Sequence, residues 1–271
     1  MTAAADALTR FEAVELDEMV AEAALLARVD RKYVIPQPAL EDLLARVDDR
    51  TRILEIGGAR RFAYESVYFD TPDLLSFHMA ARPRRRRFKL RTRTYIDTDA
   101  AFLEIKTRGA RGTTVKERSE YDIAHRAVLT PDAQDDVAAA FEAIGVDTRR
   151  VDELGATLTT RYARATLLAP DGSSRATIDT DLRWDRPDGS GFTLPGLAIL
   201  ETKSPSSASA VDRLLWRAGH RPVSVSKYAT GLAALSPDLP RNRWGRLLRG
   251  PFAASSPTIT FHTEELPCAA A

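Results

Sequence analysis

The fold turns on three short stretches: RRRRFKLRTRTY at 84–95, AFLEIKTR at 101–108 and TTVKERSEYDI at 113–123. Each alternates, and successive side chains of a strand face opposite sides. In the first, Arg87, Lys89, Arg91 and Arg93 share one face, and Phe88 and Leu90 take the other. In the second, Glu104, Lys106 and Arg108 oppose Leu103 and Ile105; in the third, Lys116, Arg118 and Glu120 oppose Val115 and Tyr121. The linkers, Asp97–Asp99 and Gly109–Gly112, are short, so the spacing predicts an antiparallel meander. From Arg82 to Arg118 there are 13 basic and 4 acidic residues, in a chain that carries 39 and 38 overall. A basic block inside a near-neutral chain points to an anionic partner: nucleic acid, a polyanion, a nucleotide or an anionic membrane.

Upstream, 11–27 and 38–47 carry helical spacing, the second with Pro38 near its start, and RFAYESVYF at 61–69 reads as a strand leaving through an Asp70-Thr71-Pro72 turn. Downstream, Thr130, Pro131 and Gly145 bracket a helix. Strands follow at 159–169 and 174–182, joined by Asp171-Gly172, and at 196–203; helices are expected at 206–219 and from Ser226 to about Leu235. Consecutive strands with helices at the start, middle and end argue for α+β with an antiparallel sheet. Residues 1–240 are expected to form one domain, and 241–271 a poorly structured tail. No repeat, GxGxxG or GxxxxGK[ST] occurs.

Length and composition exclude other classes. The 271 residues are 44% hydrophobic and 28% charged, enough for a core without staples. The one cysteine, Cys268, forms no internal disulfide and supplies no nucleophile with a base beside it. No apolar run approaches the ~20 residues that span a bilayer, and the N-terminus lacks a signal peptide's features, so no membrane span is expected and the cytoplasm is the expected compartment.

The strands at 159–182 and 196–203 extend the charged face with Tyr162, Arg164, Arg175, Asp179, Glu201 and Lys203. A sheet with one solvated face is the plain reading. Two features oppose it: one sign dominates three neighbouring strands, and like charges set opposite each other destabilise a sheet. If helices at 11–27, 130–145 and 206–219 cover the apolar side, the basic face lines the concave side of a curved sheet. An Arg and Lys cavity repels itself when empty and becomes favourable around a polyanion. Carboxylates among the cations, Glu201 above all, could hold a divalent metal that bridges phosphates.

Nine short motifs then occur in a telling order. They include Arg31-Lys32-Tyr33, Tyr68-Phe69-Asp70-Thr71-Pro72, Leu103-Glu104-Ile105-Lys106, Arg161-Tyr162-Ala163-Arg164, Leu200-Glu201-Thr202-Lys203 and Ser226-Lys227-Tyr228. Over roughly three-quarters of its length the chain resembles the catalytic domain of the vacuolar transporter chaperone (VTC) family, within the triphosphate tunnel metalloenzyme superfamily. The resemblance implies an antiparallel eight-stranded β-barrel, CYTH-like and flanked by helices, with Mn2+ or Mg2+ and a triphosphate or polyphosphate in a basic tunnel. It implies a polyphosphate polymerase that uses ATP or another triphosphate. Lys32, Arg91, Arg93, Lys106, Lys116, Arg164, Arg175 and Lys227 would hold phosphates, with Arg118 and Lys203 joining the catalytic set; Glu201 would be the metal ligand. Tyr33 and Phe69 would shape the barrel. Arg164 is preferred over Arg161 because Ala163 and Ala165 take the apolar face. Related enzymes often begin with Glu-x-Glu-x-Lys, where this chain has Arg28-Val29-Asp30-Arg31-Lys32, with one acid. Ser224 stands where the eukaryotic polymerases commonly carry a second lysine.

Other readings stay open: an inorganic triphosphatase or other triphosphate hydrolase, a non-catalytic polyphosphate or nucleotide sensor, or a nucleic-acid binder using Arg84–Arg93. The last is disfavoured by the scarcity of aromatic partners for bases. Glu104 and Asp179 are read as ion-pair partners that space the arginines, and the first half of the Arg84–Arg87 run as a solvated strand end outside the tunnel. His78, His125, His220 and His262 show no metal spacing. The oligomeric state stays open.

Overall fold

The computed structural model describes residues 6–22, 29–82, 84–109, 112, 114–205 and 207–259. The chain opens with β1 (Glu12–Val14) and α1 (Leu16–Glu22), where the spacing predicted one helix over 11–27. Next, β2 (Val29–Pro36) runs into α2 (Gln37–Arg46), with Pro38 in the first turn, where its missing N–H leaves no bond unmade. The short β3 (Arg52–Leu54) pairs in parallel with β1, and that ladder removes Glu12–Val14 from the expected helix.

A long β4 (Phe62–Asp70) leads to α3 (Leu75–Ala81), which the sequence reading missed. Asp70 is more than a turn residue: its carboxylate accepts the N–H groups of Thr71, Ser76 and Phe77 at 2.8–2.9 Å and the Tyr228 hydroxyl. It therefore holds the entire strand-to-helix corner. The meander forms as expected, with β5 (Arg87–Tyr95), β6 (Ala100–Arg108) and β7 (Thr114–Tyr121) paired antiparallel. Then α4 (Pro131–Ile144) begins at the Thr130 cap and stops at Gly145, whose φ of 67° few other residues adopt.

A hairpin of β8 (Gly155–Leu168) and β9 (Arg175–Asp185) follows, then β10 (Ser190–Thr193) and β11 (Leu197–Ser204). The helix expected over 206–219 is shorter, α5 (Ala210–Arg217), because Ser209 and Asp212 cap each other reciprocally and fix its start. Behind the Ser226 cap, α6 (Lys227–Leu235) follows. The tail expected from 241 is ordered as far as α7 (Gly245–Arg249) and β12 (Ser256–Ile259), because Trp244, Leu247 and Phe252 are buried. Residues 260–271, with His262 and Cys268, lie outside the described residues.

The main sheet runs β2-β11-β9-β8-β4-β5-β6-β7, every neighbour antiparallel. These eight strands curl until β2 and β7, the two edges, line one cavity without a ladder between them. The fold class is therefore α+β, an open-seamed antiparallel barrel flanked by helices.

Helices cover the outer face as patterning requires. Val137 and Phe141 of α4 pack on Phe88, Leu90 and Ile105, and Leu40 and Leu44 of α2 pack with Leu215 of α5 on Ile35, Leu167 and Ile178. The first helix does not join them: Leu16, Met19 and Val20 of α1 lie on the cavity rim. Inside, one end is filled by α6 and α7 against Tyr68, Leu158, Leu182, Trp184 and Ile199. Simple alternation puts Leu182 with Ala176 and Ile178 on the outer face. The structure corrects this: the ladder shifts register around Asp181, whose φ is 53°. The bulge turns Leu182 and Trp184 inward. No helix among the described residues is long and apolar enough to cross a membrane.

Candidate functional site

The unfilled part of the barrel is a cavity of about 520 Å³. All ten predicted cations line it: Lys32 from β2; Arg91 and Arg93 from β5; Lys106 from β6; Lys116 and Arg118 from β7; Arg164 from β8; Arg175 from β9; Lys203 from β11; Lys227 from α6. Glu201 lines it too. The reading missed Lys89 as a site residue, although its alternation with Arg91 placed it on this face. It also missed Tyr64, Tyr68 and Tyr95, which carry no charge signal, and gave no role to Tyr162, although alternation had placed it on the charged face with Arg164. Among the described residues, eleven Lys and Arg side chains face three carboxylates in the lining, those of Asp30, Glu104 and Glu201.

Residues set aside in the sequence stand elsewhere. Arg161 pairs with Glu65 at 2.6 Å and Asp185 at 2.8 Å, outside the cavity. The Tyr33 hydroxyl donates to Asp212 at 2.7 Å, and Phe69 packs in the outer core. His78 and His125 line no part of the cavity, nor does His220.

Three carboxylates, Glu104 and Asp179 buried and Glu201 half-buried, organise the cations. Glu104 accepts from Arg91 Nε at 2.7 Å and Lys116 Nζ at 3.2 Å, with Arg93 at 3.7 Å, joining β5, β6 and β7. Asp179 takes both arms of Arg164, at 2.6 and 2.9 Å, and also Lys227, joining β8, β9 and α6. Glu201 contacts Lys203 and lies 3.3 Å from Lys32, joining β2 to β11. Burial works to raise all three carboxyls, but the paired cations win and hold each below the usual carboxylate range. They are thus fixed anions, and the two-strand spacing of the arginines depends on them.

The cations feel their crowding. Burial, then Lys32, Lys106 and Arg91, push the Lys89 ammonium down to about 7; its Nζ donates to Ser226 Oγ at 3.0 Å. Burial also lowers Lys106 and Lys116. A row of aromatic rings supports the guanidinium groups. Tyr64 stacks on Tyr162 at 5.3 Å and meets Tyr95 at 4.9 Å; Arg93 and Arg164 lie 5.7 and 5.2 Å from the Tyr64 ring. Arg118 lies 3.7 Å over Phe102. The Tyr162 phenol is raised by burial, but Arg93, Arg164 and Lys227 outweigh it and bring it to about 8.

Polar atoms in this lining lack partners: the Tyr162 hydroxyl, the Thr177 hydroxyl and Arg93 Nε are buried without a hydrogen bond. Orphaned groups in an electropositive cavity suit an anionic ligand rich in acceptors. Among the described residues no group of three or more His, Cys, Asp or Glu could hold a metal ion alone. A smaller donor set is present. The Lys203 ammonium lies between Glu201 and Asp30, the latter at 3.6 Å, so a cation already occupies the space between two carboxylates. Hard divalent cations beside phosphates are held by one or two carboxylates plus phosphate oxygens, which this pair fits.

A family model described as the VTC domain matches residues 27–236. No curated protein matches the chain. Among solved structures, a candidate adenylate cyclase from Vibrio parahaemolyticus is 12% identical, covering 76% of this chain and 98% of its own, at a TM-score of 0.42. A candidate adenylyl cyclase from Hippeastrum, described with a dominant triphosphatase activity, is 16% identical over 76% and 95%, at 0.46. One from Bacillus halodurans is 12% identical over 74% and 94%, at 0.45. Likeness this loose carries nothing about activity.

Proposed function

The chain belongs to the VTC domain family, and from that premise we propose that it is a polyphosphate polymerase-like phosphotransferase acting on a nucleoside triphosphate such as ATP. The observation that carries the reading is the convergence of eleven cations from seven strands and α6 on one cavity that also holds orphaned Tyr162 and Thr177 hydroxyls.

In this reading Arg91, Arg93, Arg164 and Arg175 fork onto phosphate oxygens, and Lys32, Lys106, Lys116, Lys203 and Lys227 supply point charges. Arg118 extends the clamp at β7. Glu104 and Asp179 hold the forks in place before substrate arrives, so little reorganisation accompanies the reaction. A terminal oxygen of the chain attacks the γ-phosphorus; the bond from that phosphorus to the β–γ bridging oxygen breaks, and the nucleoside diphosphate leaves. The attacking oxygen is already anionic, so no base is required, and positioning with charge neutralisation does the work. Glu201, with Asp30, would hold Mn2+ or Mg2+, which when bound neutralises charge across phosphate oxygens. Such a reaction requires a compartment that holds nucleoside triphosphates, in keeping with the expected cytoplasm.

A second reading, triphosphate hydrolysis, draws on the same convergence of cations: a clamp that holds a triphosphate for attack by a chain terminus would hold it equally for attack by water. The test incubates purified protein with ATP and Mn2+ and resolves the products on a gel stained for polyphosphate. Long chains are expected, and Glu201→Gln should lower turnover at least about a hundredfold while keeping a cooperative melting transition, shifted downward because Lys32 and Lys203 lose their anion. Phosphate release without chains would replace the polymerase with the hydrolase. Tight triphosphate binding without turnover would make the protein a sensor.

A further inference from the structure

Positive charge also gathers outside the barrel. Beside α3 lies a second pocket of about 590 Å³, lined by Arg82, Arg84, Arg85 and Arg86 with Leu75, His78 and Met79. Among the described residues no carboxylate lines it. The four arginines are exposed, and among the described residues none has an acidic partner. Elsewhere on the surface Arg50 is paired with Asp48 and Arg149 with Asp147, each at 2.7 Å, whereas these four stand together with no such counterion. Clustered like charges without counterions repel one another, and surfaces serving only solubility mix the signs.

Along the chain, the arginines of this pocket run directly into the strand that carries the cavity's cations. Arg87 begins β5 on the face that carries Lys89, Arg91 and Arg93 inward. Arg108 stands opposite Arg87 on β6, and burial together with Arg108 and Arg243 lowers the Arg87 guanidinium. A line of cations thus leads from the cavity, past Arg87, to the outer arginines. Among the described residues no Phe, Tyr or Trp lines the outer pocket to offer a platform for nucleic-acid bases. An acceptor-rich chain without bases fits it better.

We propose that Arg82, Arg84, Arg85 and Arg86 form a second, external site for linear inorganic polyphosphate, holding chain that lies outside the barrel. The proposal rests on reading the cavity as a triphosphate and polyphosphate site. It separates two ligands by length: tripolyphosphate fits within the cavity, whereas a long chain reaches both sites or fills them as separate molecules.

The experiment titrates the full chain with tripolyphosphate and with long-chain polyphosphate, comparing wild type with Arg84→Glu/Arg85→Glu and the milder Arg84→Ala/Arg85→Ala. Both residues are exposed, so folding should survive; a melting curve checks this. Long-chain affinity should fall about tenfold in the charge-reversed pair and less in the alanine pair, with a shallower salt dependence, while tripolyphosphate affinity holds. One long chain per protein would mean a single chain spanning both sites, and two would mean separate chains; either supports the site. Unchanged long-chain affinity, or equal loss for both ligands, overturns it. Tighter binding of single-stranded RNA than of polyphosphate through the same arginines would make the pocket a nucleic-acid interface and also overturn it. Failure of wild type to bind tripolyphosphate would instead remove the cavity reading itself.

Discussion

At the scale of residues, Asp179 shows how the cavity is held. It is buried, and its two partners, Arg164 and Lys227, come from different elements. Asp179→Asn leaves both cations facing each other at the cavity wall without their anion, and a broken buried pair typically loses about 3–5 kcal/mol. Urea unfolding should show that loss at neutral pH. The cations hold the folded-state carboxyl below its unfolded value, so its stabilisation is full above the ordinary carboxylate range. It should begin to fade as pH falls below about 4, and wild type and variant should converge only once pH has fallen through the lowered folded-state value. Lys89 runs the other way. Its ammonium is depressed to about 7 against about 10.4 in the unfolded chain, so charged Lys89 destabilises the fold most below pH 7, and this effect fades as pH rises toward 10. A bound polyanion restores the charge. Tripolyphosphate affinity should therefore fall from pH 7 to 9 with proton uptake on binding, seen by calorimetry in buffers of different ionisation heat. Lys89→Met should flatten that part of the profile; an unchanged slope would assign the proton elsewhere.

At the scale of elements, α6 couples the plug to the site. It carries Lys227 at its start and packs on Trp184, whose Nε1 donates to the Lys227 carbonyl at 2.7 Å. The approach is possible because residue 231 is glycine: a Cβ there would stand 2.3 Å from the Trp184 ring. Overpacking of this kind typically costs about 1–3 kcal/mol. Gly231→Ala should lower the melting temperature and, by shifting α6, also weaken triphosphate binding. Loss of stability with binding intact would uncouple the plug from the site. The Asp181 bulge belongs to this scale too, since it sends Leu182 and Trp184 inward to meet α6.

At the scale of the whole molecule, the barrel interior is divided. One end is apolar, closed by α6, α7 and the C-terminal segment; the other is electropositive and contains the cavity. Trp244, Leu247 and Phe252 belong to the apolar end, and burying each such side chain contributes roughly 1.5–3 kcal/mol. Ending the chain at Pro240 should therefore cut thermal stability severely, measured by the melting curve. A full-length melting temperature in the shortened protein would return 241–259 to the role of tail.

The alternation in 84–123 was enough to determine the meander, the shared face of Arg91, Lys106 and Lys116, and α4 covering the opposite face, because side-chain direction in a strand follows from chain geometry alone. Local chemistry likewise determined α4, where Thr130 caps and Gly145 stops. Tertiary structure alone decided the rest. Glu12–Val14 became a strand because β3 offered a ladder, and Leu182 turned inward because a bulge broke the period of two. Trp244 and Phe252 became core because a barrel end needed filling, and the Tyr162 hydroxyl was orphaned by a fold that surrounds it with cations. Each of these depends on which distant segments meet, and hydrophobic pattern and charge spacing record only what is near along the chain.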